Sequence, residues 1–412
     1  MAVDDLITHL DHCVSPAHTT AFSANRLSAV GFEEVGFDSW GTHLPFRGFV
    51  RSAGLLLAWC GSGGPFRIVG AHTDSPTLRI KPHPDTGSHG WKQIAVEVYG
   101  GILNNSWLDR DLAVAGRLVL NDGRSVLVDT ADPVARIPQL AVHLDREVNE
   151  RGLILDRQIH LAPVWGLGAP SPGEFLRFLA DKAGVSPTSV STHDLVMYDT
   201  TPARLLANGT LLASGRLDNQ VSCWAAVRAI CDVADSGTAE NTFVIALFDH
   251  EEVGSESTHG AAGPQLDRLL HALHGATDGS LRDRCARSLC VSADNAHSVH
   301  PNYPERHEPG HRPIANGGPV IKSNANQRYA TTAETAALFE RACTMAEVPY
   351  QWFVSKNTMP CGSTIGPITS TRLGIPTVDV GVAQLSMHSA RELCGALDPD
   401  FLVRALTALG RL

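Results

Sequence analysis

Two adjacent carboxylates, Glu251 and Glu252, follow the apolar run Thr242–Leu247 in the segment FDHEEVGSESTH. The run is rich in β-branched and apolar residues and predicts a buried strand. The acidic pair would then stand just beyond the end of that strand. One carboxylate can ligate a metal ion while its neighbour transfers protons, so the pair indicates metal-assisted proton chemistry.

Further Asp and His residues follow other apolar runs or open a helix. They occur in the fragments His72-Thr73-Asp74, Arg216-Leu217-Asp218-Asn219, Ser292-Ala293-Asp294 and Met387-His388. Functional groups of α/β sheets gather beyond the ends of the strands. We therefore expect the fold to bring these fragments and the glutamate pair together.

The assembled side chains suit a dinuclear zinc centre. Zinc binds His nitrogen and carboxylate oxygen, and a catalytic site leaves a position open for water or substrate. Two ions about 3.5–4 Å apart can share one bridging carboxylate and polarise a water and a carbonyl together. The chain offers two histidines, a bridging acid, further acidic ligands and a free base. Asp74, two residues after His72, could fix the ring of that histidine.

Each fragment also has a plain structural interpretation. A Glu-Glu pair is usually a solvated face, and a lone His-x-Asp is usually a surface feature. Asp218 could be an ordinary helix N-cap, Asp294 part of a turn, and His388 an interior histidine. The metal interpretation depends on the combination, because all five fragments lie at the ends of predicted elements in one chain.

Composition narrows the possible partners. The chain has 412 residues, is 43% hydrophobic and 18% charged, and carries a formal net charge of −10. An acidic protein is a poor match for nucleic acid or an anionic membrane surface. We see neither a transmembrane run nor a secretory signal. Nine scattered cysteines without a CxxC pair suit a reducing cytoplasm.

The secondary-structure pattern changes twice along the chain. Between about Lys81 and Pro202 it consists of short alternating strands, with Asn121-Asp122-Gly123 as a hairpin turn. On both sides, helices and buried strands alternate. We therefore expect a β-rich segment inserted into an α/β domain.

Three helix starts carry capping signals. Ser15-Pro16 predicts an N-cap followed by proline in the first turn. Thr331-x-x-Glu334 matches a capping box, and Asp398-Pro399 is expected to cap the last helix.

The quoted motifs together resemble one enzyme family. They are AHTDSPTLRIKP, GRLDNQ, DHEEVGS, SADNAHSVHPN, MPCGSTIGP and MHSARE. In this order they resemble the aspartyl aminopeptidases, dinuclear zinc exopeptidases with a split catalytic domain. The resemblance implies a three-layer α/β/α sandwich around a mixed sheet, formed by residues 1–80 and 204–412. Residues 81–203 would form the inserted β-rich dimerisation domain.

The resemblance also implies roles for the chemical groups. One zinc would take His72 and Asp294, the other Glu252 and His388, with Asp218 bridging them. Glu251 matches the general base of the family, and Asp74 matches an acid behind the ligands. Co²⁺ or Mn²⁺ are expected substitutes for the two zinc ions.

Substrate-binding residues follow from weaker parts of the resemblance. Lys322 matches a lysine of the pocket for acidic side chains, with Tyr329 in the same stretch; alternatively Lys322 faces solvent. Gly362 and Ser363 lie in a turn that resembles a substrate-pocket loop. His143 resembles a histidine that reaches the active site of a neighbouring subunit, or is an ordinary packing histidine. Thr358 stands where many relatives carry an acidic residue, so pocket electrostatics are expected to differ.

These observations predict a cytoplasmic metallo-aminopeptidase that removes amino-terminal Asp or Glu from peptides. The family resemblance implies a homododecamer built from dimers. Two alternatives stay open at this stage. One is a related dinuclear aminopeptidase or deacylase with another residue preference, and the other is a structural cage or cargo protein with a vestigial site.

Overall fold

The computed structural model describes residues 2–41, 44–237, 241–275 and 279–412. Its α-helices are α1 (Ala2–His12), α2 (Pro16–Ala29), α3 (Val148–Arg151), α4 (Glu174–Lys182), α5 (Leu217–Ser236), α6 (Gln265–His274), α7 (Leu281–Ala286), α8 (Ala333–Met345), α9 (Ile365–Leu373) and α10 (Asp398–Leu409).

The strands are β1 (Glu33–Glu34), β2 (Arg47–Ser52), β3 (Leu55–Cys60), β4 (Phe66–His72), β5 (Thr77–Ser88), β6 (Trp91–Tyr99), β7 (Leu112–Leu120), β8 (Ser125–Asp129), β9 (Val164–Leu167), β10 (Val190–Asp199), β11 (Arg204–Leu206), β12 (Leu211–Ser214), β13 (Thr242–Phe248), β14 (Leu289–Ala293), β15 (Ala296–His297), β16 (Val320–Ser323), β17 (Gln351–Val354), β18 (Thr377–Gly381), β19 (Ala383–Leu385) and β20 (Glu392–Gly395).

A nine-stranded mixed sheet forms the centre of the α/β part, in the order β1-β2-β3-β13-β4-β14-β18-β16-β17. Strands β13, β4, β14 and β18 run parallel to one another. All seven residues of β13 are buried, as expected for a strand covered on both faces. The predicted buried strand Thr242–Leu247 is therefore confirmed.

Helices cover both faces of this sheet. Alternate residues of β13 belong to different hydrophobic cores. Ile245 belongs to the core that includes residues of α1, α2, α5, α8 and α10, whereas Val244 belongs to the core that includes residues of α6, α7 and α9. This alternation follows from the two-residue period of a strand. The predicted three-layer α/β/α sandwich is confirmed.

The described residues form two further sheets. The first has six antiparallel strands in the order β8-β7-β10-β5-β6-β9 and packs with α4 around its own core. The second has five strands in the order β11-β12-β20-β19-β15. The six-stranded sheet begins with β5 at Thr77, slightly before the expected boundary at residue 81. The division into catalytic and oligomerisation domains stays a prediction.

The capping predictions have mixed outcomes. The Ser15 side chain accepts a hydrogen bond from the backbone N of His18 at the start of α2, as predicted. The capping box before α8 is formed by Thr332 and Thr335, so the prediction of Thr331 and Glu334 was wrong. Asp398 does not cap α10, because its carboxylate accepts hydrogen bonds from the backbone of the 316–318 loop instead.

Among the described residues, no helix combines the length and the apolar character needed to cross a lipid bilayer.

Candidate metal centre

The predicted ligands converge at one edge of the nine-stranded sheet. Strands β4, β13 and β14 are parallel neighbours, so their carboxyl ends meet at the same edge. His72 is the last residue of β4, Glu251 and Glu252 follow β13, and Asp294 follows β14. This arrangement explains why side chains from three segments distant in sequence meet.

Two other elements complete the cluster. Asp218 lies in the first turn of α5, and His388 lies in the connection between β19 and β20. The Asp218–Asn219 peptide bond is cis, and both residues depart from helical dihedral angles. His388 has φ of 66°. Non-glycine residues adopt this left-handed conformation infrequently, and such residues cluster at functional sites.

The first group of ligand atoms surrounds Nε2 of His72. It lies 3.4 Å from Asp218 Oδ1 and 3.6 Å from Asp294 Oδ1. In a tetrahedral zinc site with bonds of about 2.0–2.2 Å, ligand atoms are about 3.3–3.6 Å apart. The spacing therefore fits one ion held by these three side chains.

The second group surrounds Nε2 of His388. It lies 3.6 Å from Asp218 Oδ2 and 3.5 Å from Glu252 Oε2. Asp218 thus presents one carboxylate oxygen to each histidine, which is the geometry required of a bridging ligand. Each histidine also has a backbone acceptor at Nδ1, namely the carbonyl of Asp74 or of Gly101, which leaves Nε2 for a metal.

Two buried oxygen atoms support this interpretation. Asp218 Oδ1 and Glu252 Oε1 accept no hydrogen bond from any residue that the structure describes. A buried carboxylate oxygen without a partner is costly, and a bound cation removes that cost. The donor set of imidazole and carboxylate is one that zinc accepts, so the residues present fit the metal.

The pKa values of the acidic and histidine side chains indicate a concentration of negative charge at this site. Burial raises the pKa of Glu251 to about 8, and the neighbouring carboxylates add to that effect. Burial and the charge of Asp218 hold the pKa of Glu252 well above its usual range. Burial alone would lower the pKa of His72, but the surrounding carboxylates outweigh it and raise this pKa.

Asp74 supports the cluster from behind. Its carboxylate lies 3.3 Å from His72 Nδ1 and accepts hydrogen bonds from the backbone N of Glu251 and of Glu252, at 3.1 and 3.0 Å. Tyr99 donates its hydroxyl to the same carboxylate at 2.8 Å. Asp74 therefore connects the position of one histidine to that of both glutamates.

Sequence reasoning missed two of these supporting residues. Glu392 is buried and accepts hydrogen bonds from the backbone N of Asp218 and of His388, at 3.0 and 2.7 Å. It stands in the quoted string MHSARE, four residues after His388, so its type and position were a usable signal. Tyr99 had no such signal, because its contact with Asp74 depends on the packing of β6.

Of the predicted substrate-binding residues, Ser363 lines a cleft, whereas Lys322 is buried. Glu251 and Glu252 line an open cleft together with Ser363 and Thr364. Lys322 is 2% exposed, and its Nζ donates to the carbonyls of Asp294 and Asn295 at 2.9 and 3.3 Å. A solvent-facing Lys322, one of the two readings of the sequence, is therefore wrong.

The other predicted substrate-binding residues are Tyr329, Gly362 and His143. The Tyr329 ring is 5.0 Å from Lys322 Nζ, and Ser363 Oγ donates to the carbonyl of Arg328. Gly362 lies beside Ser363 in the same turn. His143 is exposed on the segment before α3, and the structure does not bring it to the centre of its own subunit.

Known proteins match almost the whole chain. The family model "Aminopeptidase I zinc metalloprotease (M18)" matches residues 9–409. The chain is 51% identical over 418 residues to a probable M18 family aminopeptidase 2 of Streptomyces coelicolor, covering 98% of this chain and 96% of that protein. It is 47% identical over 423 residues to the protein of the same description from Mycobacterium tuberculosis, again covering 98% and 96%.

Solved structures agree with these matches. One chain of the structure described as "Cryo-EM structure of the Ape4 and Nbr1 complex" superimposes on this chain with a TM-score of 0.94 at 32% identity. The match covers 98% of this chain and 84% of that one. The S. cerevesiae mApe1 dodecamer superimposes with a TM-score of 0.86 at 27% identity, covering 99% and 95%. The fold and the ligand geometry described above thus occur in a chain similar to zinc aminopeptidases over nearly its full length.

Proposed function

Because this chain belongs to the M18 family of aminopeptidase I zinc metalloproteases, we propose that it removes acidic residues from the amino terminus of peptides at a dinuclear zinc centre. The family makes the chain a zinc-dependent hydrolase. The observation that carries the finer proposal is that two groups of potential ligands share Asp218, one with His72 and Asp294 and the other with Glu252 and His388. A vestigial site would not need such a complete set.

Zinc in these two positions would lower the pKa of a coordinated water and polarise the scissile carbonyl. His72 and Asp294 would hold one ion, Glu252 and His388 the other, and Asp218 both. Co²⁺ or Mn²⁺ should substitute, since imidazole and carboxylate ligands suit several divalent ions.

Glu251 is the proposed general base. It takes a proton from the attacking water and returns it to the leaving amine, which is the usual task of a carboxylate in such a site. Its carboxylate lies 4.0 Å from His72 Nε2 and belongs to neither of the two groups of ligands that share Asp218, which suits a group that transfers protons. Asp74 keeps Glu251 in place through the backbone hydrogen bond at 3.1 Å.

Lys322 is the proposed cation for an acidic substrate side chain. An ammonium group has three donors, and the carbonyls of Asp294 and Asn295 engage two of them. The ammonium group also lies 3.7 Å from the Asp294 carboxylate, and we propose that the third donor serves a substrate carboxylate beside it. Because the chain as a whole is acidic, a selective pocket needs a local cation of this kind.

We further propose that the enzyme is a cytoplasmic homododecamer assembled from dimers. The segment around His143 exposes several large apolar side chains, which indicate a covered surface: Leu140, Val142, Leu144, Ile154 and Ile159. The S. cerevesiae structure named above is a dodecamer. The nine cysteines are all free, which suits a reducing compartment.

One assay tests the activity and its preference together. Metal-replete protein is incubated with peptides that begin with Asp, Glu, Leu or Lys, and a parallel sample is exhaustively chelated and then resupplied with zinc. We expect cleavage of the Asp and Glu peptides, loss on chelation and recovery with zinc. Full turnover after chelation would contradict the dinuclear mechanism. A preference for Leu or Lys would instead favour the related aminopeptidase with a different pocket.

A further inference from the structure

Asp379 is a buried carboxylate in β18 that the proposed mechanism does not use. Its exposed fraction is 0%. In the nine-stranded sheet it stands opposite Ser292 of β14 on one side and Lys322 of β16 on the other. Burying a carboxylate costs free energy unless nearby charges and hydrogen bonds compensate. The groups that contact Asp379 therefore indicate which parts of the structure it stabilises.

Hydrogen bonds join Asp379 to two loops. Its Oδ1 accepts from the Thr364 hydroxyl, and its Oδ2 accepts from the backbone N of Ala330 at 2.6 Å. Its own backbone N donates to Thr331 Oγ1 at 2.9 Å. The residue therefore ties β18 to residues 328–331 and to the turn 361–366.

The contact with the turn is close-packed. Thr364 is the N-cap of α9, and its hydroxyl oxygen accepts from the backbone N of Gly366 at 3.2 Å. A Cβ atom added at Gly366 would lie 2.4 Å from Asp379 Oδ2. The carboxylate is therefore built into the first turn of α9, with no space for a larger group between them.

The third partner of Asp379 is the charge of Lys322. Burial raises the pKa of Asp379, and the ammonium group opposes this by favouring the carboxylate. Lys322 in turn holds the carbonyls of Asp294 and Asn295 and lies 5.0 Å from the Tyr329 ring. One buried carboxylate thus contacts, or lies opposite, the segments that carry four predicted substrate-binding residues: Lys322, Tyr329, Gly362 and Ser363.

We propose that Asp379 is the positioning residue of the substrate side-chain pocket, holding residues 328–331, the turn 361–366 and Lys322 in the arrangement that receives the first side chain of the peptide. This inference rests on the proposed function for the identity of the pocket residues. Asp379 is buried and acts through its neighbours, one of which, Thr364, lines the cleft.

The direct test is Asp379→Asn. The backbone N–H of Ala330 cannot be reversed, so the amide oxygen must face it and the amide nitrogen must face Thr364. The variant then exchanges the charge-assisted hydrogen bond from Thr364 for a reversed, neutral one, and it loses the charge opposite Lys322. We expect kcat/KM to fall about tenfold to hundredfold, mainly through KM, with zinc content unchanged.

Thr364 provides a milder pair of variants that avoids a charge change in the core. Thr364→Val deletes the hydroxyl with nearly the same shape, whereas Thr364→Ser keeps it. We expect the valine variant to raise KM in the same way as Asp379→Asn and the serine variant to behave like the wild type. The double variant Asp379→Asn/Thr364→Val should lower kcat/KM by less than the product of the two single effects, because both variants disrupt the same hydrogen bond between Thr364 and Asp379.

Asp398 supplies the matched control for buried aspartates. It is also 0% exposed and accepts backbone hydrogen bonds, from Asn316 and Gly318, but at the start of α10. Asp398→Asn should lower stability and leave KM near that of the wild type. All variants are assayed with the substrate that the wild type cleaves best. A failure of the acidic preference would therefore change only the substrate used.

Three results would overturn the inference. They are a wild-type KM in Thr364→Val, an equal rise of KM in Asp398→Asn, and a loss of zinc that accounts for the lower activity of Asp379→Asn.

Discussion

Glu251 and Glu252 are neighbours in sequence, yet their side chains meet different partners. Glu252 Oε2 is 3.5 Å from His388 Nε2, whereas Glu251 Oε2 is no closer than 4.0 Å to His72 Nε2. The adjacent backbone N–H groups of both residues are held by the single carboxylate of Asp74. The pair can therefore divide the tasks of ligand and base.

Substitution of these acids should separate the two roles. Glu251→Gln should keep both metal ions and lose turnover by a factor of about 10²–10⁴, the usual contribution of a general base. Asp218→Ala should instead lose metal, because it removes an oxygen from both groups of ligands. Zinc content by atomic absorption and turnover are measured on the same samples. Near-normal turnover in Glu251→Gln would show that another group is the base. The next candidate is His297, the last residue of β15.

Lys322 should determine the preference for acidic substrates. One charge pair at about 4 Å in a partly desolvated pocket is on the order of 4 kcal/mol before desolvation is subtracted. A net effect of about 1–3 kcal/mol still gives roughly tenfold to hundredfold preference. Lys322→Met keeps the length of the stem but removes the charge and the hydrogen bonds to the carbonyls of Asp294 and Asn295. We therefore expect kcat/KM to fall much further for Asp and Glu peptides than for Leu peptides. Equal losses for Leu peptides would mean that Lys322 is purely structural.

At the scale of elements, the ends of the strands were predictable and the details of the caps were not. Runs such as Thr242–Leu247 carry their own signal of burial, and a shared sheet edge follows from parallel strands. Whether a side chain caps a helix depends on which hydrogen-bond donor its oxygen atom meets in the folded chain. The Thr331 hydroxyl bonds to the backbone N of Asp379, 48 residues away, and the Asp398 carboxylate bonds to residues about 80 positions away. Tyr99 contacts Asp74, 25 residues away, and Glu392 contacts the backbone of Asp218, 174 residues away, and local propensity reveals neither contact.

The two N-terminal helices give a pH-dependent prediction. His9 of α1 is 1% exposed, and its Nε2 lies 3.2 Å from Gln220 Oε1 of α5. Burial lowers its pKa to about 4, from about 6.5 in an unfolded chain. The folded state therefore resists protonation, so the stability that neutral His9 contributes is complete above pH 6.5 and is lost as the pH falls towards 4.

Comparison with His9→Gln isolates this effect. Between pH 7 and pH 5 the wild type should lose about 2 kcal/mol more of its free energy of unfolding than the variant does. Denaturant unfolding of the metal-loaded proteins at both pH values measures the difference. Identical pH dependence in the two proteins would mean that His9 is not neutral and buried in solution.

At the scale of the whole molecule, the open question is whether one chain forms a complete active site. The apolar segment around His143 is exposed in the single chain, and its largest exposed fraction, 84%, is that of Ile154. If two copies pair through this segment with twofold symmetry, each presents its His143 to the other. His143 would then serve the partner's centre and not its own.

Mixing two inactive variants tests this arrangement. His143→Ala should lack the histidine that its partner needs, and Glu251→Gln lacks the base. A mixed dimer holds one intact site, formed by Glu251 of one subunit and the partner subunit's His143. Randomly reassembled mixtures should therefore recover about a quarter of the wild-type activity, since half of the dimers are mixed and each has one working site of two.

The control is a pair of variants that lie in the same subunit's site. Glu251→Gln mixed with Asp218→Ala should recover no activity, because neither variant supplies an intact centre.

Ile154→Asp should place a charge in the proposed interface and yield dissociated subunits that bind zinc but do not turn over. By contrast, Leu338→Asp, at a similarly apolar but 40% exposed position on α8, should leave the pairing intact. Recovery in the control mixture, or an active monomer of Ile154→Asp, would show that each chain carries a complete site of its own.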